Sequence, residues 1–376
     1  MRLPRCSRRR WLTASFGTVL AFGGHHLFIR PGAGWLRAAE VPWLDEVQRP
    51  PDVLPADAPR LSPLLVDGEG RPIADLEAWK RQREVLRHRW EQVLGPLEVR
   101  RAAPPKLEVL EEDQADGVIR QRVRYDAEPG EPTEAYLLTP SAEPGQGKRP
   151  GAVVFHPTVT ASIREPAGLE GRPNMALGLN LARRGWVALC PRNFLWSANR
   201  KLDIAAQLPR FQKRHPRATG MAKMLFDAVT AVDILAGLPG VDAQRLGAVG
   251  HSLGAKEVLY LAAFDERIRV AVSSEGGIGT RFSNWHDPWY LGPQIQQAGF
   301  AREHHELLAL VAPRAFLLLG GDSADGQRSW PFIEAVLPVY RLYGSPARVG
   351  LFSHRKGHSL PPEAEQRLYA WFAAYG

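Results

Sequence analysis

Residues 250–254 have the sequence Gly-His-Ser-Leu-Gly, which combines a hydroxyl nucleophile with glycine at both ends. A serine hydroxyl reacts poorly unless it is exposed on a sharp turn with a general base within reach. The two glycines permit such a turn because they have no side chain to crowd the backbone. A strand-like segment, 245–249, precedes the motif and a helix-like segment, 256–263, follows it. This setting predicts that Ser252 is a catalytic nucleophile; the alternative is a serine in an ordinary strand-to-helix turn.

The general base should follow the last predicted strand, because the chain order Ser, acid, His is typical of a nucleophile on such a turn. His354 and His358 both lie in that region. A base must swing its ring toward the serine, so a loop flanked by glycine suits it better than a strand end. We therefore favour His358, which follows Gly357, and we expect His354 to make local hydrogen bonds at the end of a strand.

Three carboxylates could orient the base. Asp322 and Asp325 follow the strand before the last one, and Glu275 follows the strand before that. Asp325 lies deeper in its loop and is our preferred triad acid, because loop carboxylates just beyond such a strand usually reach the histidine. Asp322 stands beside two glycines, where it could also cap a turn. Asp322 and Glu275 remain open as alternatives.

An acyl-transfer site also needs two backbone donors for the oxyanion. The N–H of Leu253, directly after the nucleophile and at the start of the following helix, is the first candidate. The second should come from the loop after the strand 151–155. Pro157 has no N–H, so Thr158 is the expected donor, and His156 is expected to shape that loop.

These residues must be positioned by a regular framework, and the pattern predicts one. Strand-like and helix-like segments alternate over more than 200 residues, which indicates an α/β fold with a doubly wound, mostly parallel sheet. An extended, proline-rich arm and an amphipathic helix over 77–94 precede it. The predicted strands are 107–110, 119–125, 134–138, 151–155, 186–190, 245–249, 268–273, 313–319 and 347–352, and the later helices are 175–184, 221–236, 330–343 and 362–374.

The charge of the chain is concentrated at its N-terminus. The formal net charge is +8, but residues 1–39 hold seven arginines and no acid, which leaves 41 basic and 40 acidic residues in the rest. A nearly neutral remainder offers no general basic surface for phosphate backbones, so we expect no nucleic-acid partner.

Arg8 and Arg9 precede an apolar stretch over 11–24 that is shorter than a membrane helix requires. This pattern resembles a twin-arginine export signal, which predicts the twin-arginine export machinery as a partner and a periplasmic or extracellular location. An uncleaved signal would tether the protein to the membrane. Cys190 is the one cysteine beyond the leader, so no disulfide is expected within the mature chain.

The chain resembles the α/β-hydrolase superfamily over about residues 107–376, on the evidence of the turn around Ser252, the base and the candidate acids. It most closely resembles serine esterases that are related to dienelactone hydrolase and to acetyl xylan esterases. Three features are similar to glucuronoyl esterases: Lys256 four residues after Ser252, the run Ser-Glu-Gly-Gly-Ile-Gly around Glu275, and the segment 304–314. Those enzymes have an arginine directly after the nucleophile, where this chain has leucine. Fungal members also take their acid from the earlier strand.

The resemblance implies that Lys256 binds substrate hydroxyls. An ion pair with Glu257 or Glu275 is the structural alternative. Trp285 lies in a tryptophan-rich insertion and could stack on a sugar ring, or it could pack in the core. No spacing in the sequence indicates a metal or phosphate site, so we expect no metal and no cofactor.

We therefore expect three regions: an export signal over 1–39, an arm and helix over 40–105 packed on the main domain, and a catalytic domain over 106–376. The expected function is that of a secreted serine carboxylesterase acting on carbohydrate or plant-polymer esters, of the acetyl xylan or glucuronoyl type. The alternatives are a serine peptidase of the same fold and a catalytically inactive, exported carbohydrate-binding protein.

Overall fold

The computed structural model describes residues 40–99, 103–142, 147–199, 201–344 and 346–376. The predicted export signal, residues 1–39, lies outside the described residues. Within the described ranges, no helix combines the length and the apolar character needed to cross a membrane.

The described residues form a single nine-stranded sheet. Its strands are β1 (Glu108–Ala115), β2 (Val118–Glu128), β3 (Glu131–Pro140), β4 (Arg149–Phe155), β5 (Val187–Pro191), β6 (Val241–His251), β7 (Ile268–Ser274), β8 (Ala315–Gly320) and β9 (Val349–Ser353). Their spatial order is β1-β2-β3-β5-β4-β6-β7-β8-β9. The first four strands in this order pair antiparallel, and all pairs from β5 to β9 are parallel. The predicted mostly parallel sheet is confirmed.

Helices cover both faces of the sheet. They are α1 (Leu44–Val47), α2 (Leu76–Leu94), α3 (Leu177–Ala182), α4 (Ile204–Arg214), α5 (Gly220–Gly237), α6 (Leu253–Phe264), α7 (His305–Val311), α8 (Trp330–Leu342) and α9 (Pro362–Tyr375). The middle of each central strand is apolar because each face packs against a separate cluster. Val153 of β4 points to the cluster under α5 and α6, while Val154 points to the cluster under α3 and α9.

The helix α2 is anchored to the sheet domain by two tryptophans. The Asp75 side chain accepts a hydrogen bond of 2.8 Å from the Ala78 amide and so caps its N-terminus. Trp79 and Trp90 are fully buried. The indole Nε1 of Trp90 donates a hydrogen bond of 2.8 Å to the Glu306 carboxylate in α7. Its ring lies edge-on to Tyr260 of α6, with the ring centroids 5.9 Å apart. This helix therefore packs against the helix that follows the proposed nucleophile.

Replacing Trp90 with alanine should lower the free energy of unfolding by about 3–5 kcal/mol, because it opens a cavity under α2 and removes the donor to the buried Glu306. Val85, on the same helix, is 43% exposed, and Val85→Ala should change stability by less than about 0.5 kcal/mol. Urea unfolding of the two variants measures both values. Equal effects of the two substitutions would show that α2 does not depend on its buried face.

Candidate active site

Ser252 lies between β6 and α6 in a strained backbone conformation, with φ 58° and ψ −116°. The turn is so tight that a Cβ on Gly250 would stand 2.4 Å from the Gly254 carbonyl group. A Cβ on Gly254 would stand 2.5 Å from the Phe155 carbonyl oxygen at the end of β4. Both glycines are therefore required by close backbone approach. A strained serine on a strand-to-helix turn is the geometry of a nucleophile elbow.

The two predicted oxyanion donors lie at the start of α6 and in the loop after β4. Leu253 is the first residue of α6, so its N–H points out of the helix N-terminus. Thr158 is an exposed residue of the loop after β4. Among the described residues, neither amide donates a hydrogen bond to another protein group. Both donors are thus available to a substrate oxygen.

His156 shapes the Thr158 loop, as the sequence suggested. Its Nδ1–H donates a hydrogen bond of 2.8 Å to the Pro157 carbonyl, and its Nε2 accepts one of 3.2 Å from the Asn193 amide. Burial lowers the pKa of His156 to about 4, so the ring is neutral at pH 7. The neutral ring can donate and accept at once, which ties the loops after β4 and β5 together.

Glu275 is the carboxylate that contacts His358, with 3.1 Å between its Oε2 and the histidine Nδ1. Glu275 is fully buried and follows β7, whereas the His358 side chain is 43% exposed. The Glu275 carboxylate also accepts hydrogen bonds from the backbone amides of Gly321 and Ala324, the latter at 2.8 Å. These bonds aim the carboxylate and leave Nε2 of His358 to serve as the base.

The structure corrects our preference for Asp325 as the triad acid. Asp325 is also fully buried, but it accepts hydrogen bonds from the Gly277 amide at 2.6 Å and the Ile278 amide at 2.7 Å. The other alternative, Asp322, accepts from the Gln327 amide at 3.0 Å, in a turn within its own loop. Of the three candidate carboxylates, only Glu275 lies against His358.

His251, the residue before the nucleophile, is a site residue that the sequence reasoning missed. Its ring centroid lies 4.7 Å from that of His358, so the proposed base lies against the residue that precedes Ser252. Its Nδ1 lies 3.0 Å from the Ser274 hydroxyl, and burial, with smaller effects of nearby positive charge, lowers its pKa to about 3. The sequence feature that could have identified His251 is its place inside the Gly-His-Ser-Leu-Gly motif.

His354, the other candidate base, is buried near the site. Its Nδ1 accepts a hydrogen bond of 3.2 Å from the Lys356 amide, which is the local strand-end bond expected from the sequence. Asn174 is a further residue that was not predicted. Its side-chain amide donates a hydrogen bond of 2.6 Å to the Leu360 carbonyl, which ties the loop before α3 to the segment carrying His358.

Lys256 and Trp285 face the protein interior, contrary to their predicted role as substrate contacts. The Lys256 ammonium donates to the Gly276 carbonyl and, at 3.0 Å, to the Ser283 hydroxyl. It lies over the Trp285 ring, 4.8 Å from its centroid, and burial lowers its pKa to about 8. Trp285 is fully buried and donates from Nε1 to the Gly277 carbonyl at 2.7 Å. No face of the Trp285 ring is exposed for stacking on a sugar, which is a correction.

The predicted ion pair of Lys256 is not formed either. Within the described part of the chain, no carboxylate is recorded within 4.0 Å of its ammonium. Glu257 instead accepts a hydrogen bond of 3.1 Å from the Asn193 side chain. The described residues contain no group of three or more His, Cys, Asp or Glu side chains arranged to hold a metal ion.

Residues 133–298, somewhat less than half of the chain, match the family model described as the dienelactone hydrolase family. The curated Bacillus subtilis protein YtaP, itself named only provisionally as a hydrolase, is 29% identical over 104 residues. That alignment covers 26% of this chain and 34% of YtaP, so about a third of the relative is matched.

Two solved structures are similar over most of their length. A glucuronoyl esterase from Solibacter usitatus is 18% identical, with a TM-score of 0.66, and the match covers 86% of this chain and 99% of the other. A glucuronoyl esterase from Teredinibacter turnerae is 20% identical, with a TM-score of 0.60 and coverage of 83% and 88%. These findings confirm the predicted α/β-hydrolase fold and the predicted resemblance to esterases of that fold.

Substitution of Glu275 by glutamine should lower kcat for a small chromogenic ester about 10³- to 10⁴-fold, because an amide cannot hold the histidine tautomer or stabilise the imidazolium. Asp322→Asn is the matched control. Asparagine tolerates the left-handed backbone at this position (φ 64°), so kcat should change less than about threefold. Steady-state kinetics on both variants give the comparison. A severe loss in the Asp322 variant with a mild one in the Glu275 variant would contradict the assignment.

Acid should destabilise the fold through its buried neutral histidines. The folded-state pKa of His251 is about 3, below the ordinary 6.5, so the unfolded chain takes up a proton first as the pH falls. The unfolding free energy therefore decreases from about pH 6.5 toward pH 3, by up to about 1.4 kcal/mol per pH unit for one such group. Urea unfolding between pH 7 and 4.5 should show a shallower dependence for His251→Asn than for the wild type. Parallel curves would show that His251 is not held neutral.

Proposed function

We propose that this protein is a serine carboxylesterase that acts through an acyl-enzyme on carbohydrate or plant-polymer esters. The observation that carries the proposal is the strained Ser252 elbow together with His358, which contacts Glu275 and lies against His251, the residue before Ser252. Nucleophile, base and orienting carboxylate come from the loops after β6, β9 and β7, which end at the same edge of the parallel sheet.

Acylation begins when Nε2 of His358 takes the proton of the Ser252 hydroxyl as its oxygen attacks the ester carbonyl carbon. The carbonyl oxygen becomes an oxyanion, which the amides of Leu253 and Thr158 stabilise together with the N-terminus of α6. Glu275 accepts the Nδ1–H of His358 and stabilises the imidazolium. The tetrahedral intermediate collapses, the alcohol leaves with the proton from His358, and Ser252 carries the acyl group.

Deacylation repeats the same steps with water as the nucleophile. His358 takes a proton from the water, the resulting hydroxide attacks the acyl carbon, and a second oxyanion forms in the same place. The proton then returns to Ser252 as the acid departs.

The substrate class rests on the similar solved structures, which are named glucuronoyl esterases. Leu253 stands where the glucuronoyl esterases have an arginine, so the proposal includes acetylated sugars beside uronate esters. Export by the twin-arginine route stays a prediction that depends on residues 1–39 alone.

Labelling with a fluorophosphonate probe tests the proposal, because the probe reacts with an activated serine. Wild type should be labelled, whereas Ser252→Ala and His358→Ala should lose at least about 10³-fold in labelling rate, with far-UV circular dichroism unchanged. Unlabelled wild-type protein would overturn the proposed mechanism.

A substrate panel then separates the alternatives. Acetylated xylan and a methyl glucuronate ester should be hydrolysed, and a dipeptide amide should not. Turnover of the amide alone would favour a peptidase. Glycan binding without turnover would favour a binding protein.

A further inference from the structure

Buried side chains hold the three carbonyls that follow Glu275 in its turn. Glu275 has a positive φ of 55°, and the chain then reverses over two glycines. The carbonyl of Gly276 accepts from Lys256, and the carbonyl of Gly277 accepts from Trp285. The next carbonyl, that of Ile278, accepts a hydrogen bond of 2.8 Å from Nδ1 of His304. Three consecutive carbonyls are thus fixed by three buried side chains.

Asp325 binds the amides of the same turn. Its two carboxylate oxygens accept from Gly277 at 2.6 Å and from Ile278 at 2.7 Å, and the Ser329 hydroxyl donates to it at 2.9 Å. The exchange is reciprocal, because Glu275 accepts from the amides of Gly321 and Ala324 in the loop that carries Asp325. Each loop therefore gives one carboxylate to the backbone of the other.

Because both carboxylates are buried, each one depends on the amide donors that the other loop supplies. Glu275 and Asp325 are fully buried, and the buried ammonium of Lys256 lies close enough to both to interact electrostatically. A buried carboxylate without donors is costly, so each of these side chains restricts where the other can sit. Misplacing the Gly277 amide would consequently displace the Glu275 carboxylate as well.

We propose that Asp325 is a positioning residue that holds the turn bearing Glu275, so that it acts on the reaction through Glu275 rather than as the triad acid. Lys256 and Trp285 serve the same turn and do not act as sugar contacts. This inference rests on the proposed esterase function. A shift of about 1 Å in a catalytic group can cost about 10²-fold in rate, which is why such support matters.

A double-mutant cycle tests the proposal with a small acetate ester, which has no sugar to contact. Asp325→Asn should lower kcat about 10- to 100-fold and leave KM within about twofold. Added to Glu275→Gln, it should lower kcat less than about threefold further, since its effect passes through Glu275. A full, independent loss in the Glu275→Gln background would overturn the proposal, and so would a loss for Asp325→Asn as large as that for Glu275→Gln.

The pH profile supplies a readout that lost stability alone would not change. The acid limb of kcat/KM reports the pKa of the base in the free enzyme. A poorly aimed Glu275 stabilises the imidazolium of His358 less well, so the limb of Asp325→Asn should move to lower pH. An unchanged limb together with a lowered melting temperature would show a merely structural role.

Trp285→Phe gives a second test if Asp325→Asn does not fold. It keeps a buried aromatic ring and the charges, removes the donor to the Gly277 carbonyl, and leaves a small gap because phenyl is smaller than indole. We expect kcat to fall about three- to tenfold with KM unchanged, and the acid limb to move in the same direction. Asp322→Asn, in the same loop as Asp325 but outside this exchange, should keep wild-type values. A change confined to KM for sugar esters would instead restore Trp285 as a substrate contact.

The fluorophosphonate result keeps the two proposals distinguishable. If the wild type is not labelled, the proposed function fails. If the wild type is labelled and Asp325→Asn retains wild-type kcat and pH profile, the esterase function stands and the positioning role is overturned.

Discussion

The left-handed backbone at Ser252 sets the geometry on which the rest of the site depends. It requires Gly250 and Gly254, and it brings the start of α6 against the last carbonyl of β4. Because α6 begins so close to the sheet, nearly its whole length is buried between the strands and the helices α5 and α7. The same close approach directs the helix N-terminus, and its free amides, at the place where an oxyanion would form.

Burying the orienting carboxylate is the second constraint, and it explains the polar interior near β7 and β8. A carboxylate that must hold His358 cannot be left without donors, and two backbone amides supply them. The loop that offers those amides is in turn fixed by its own buried acid, Asp325, and one ammonium, Lys256, lies near both charges. The polar groups are therefore satisfied as one network rather than as separate pairs.

The sequence was sufficient to predict the sheet and to propose Ser252 and His358, but not to single out the carboxylate that contacts His358. Ser252 and His358 stand in short motifs whose order and glycines constrain them. Glu275 and Asp325 both follow parallel strands at the same edge, and depth in a loop does not determine where a side chain points. The direction of Lys256 and Trp285 likewise depends on how the insertion folds back. The helices α4, which contains Pro209, and the short α7 were not predicted because neither has a long uninterrupted period.

Helix α2, which precedes the sheet in the chain, packs against this hydrogen-bond network. The ring of Trp90 stacks on that of His304 with centroids 5.2 Å apart, and His304 donates to the carbonyl of Ile278. Tyr260 of α6 lies 2.9 Å from the other nitrogen of the same ring, which fixes its orientation. Burial lowers the pKa of His304 to about 3, so the ring stays neutral and can donate and accept together. A helix that precedes the sheet in the chain thus packs on the residue that holds the end of the Glu275 turn.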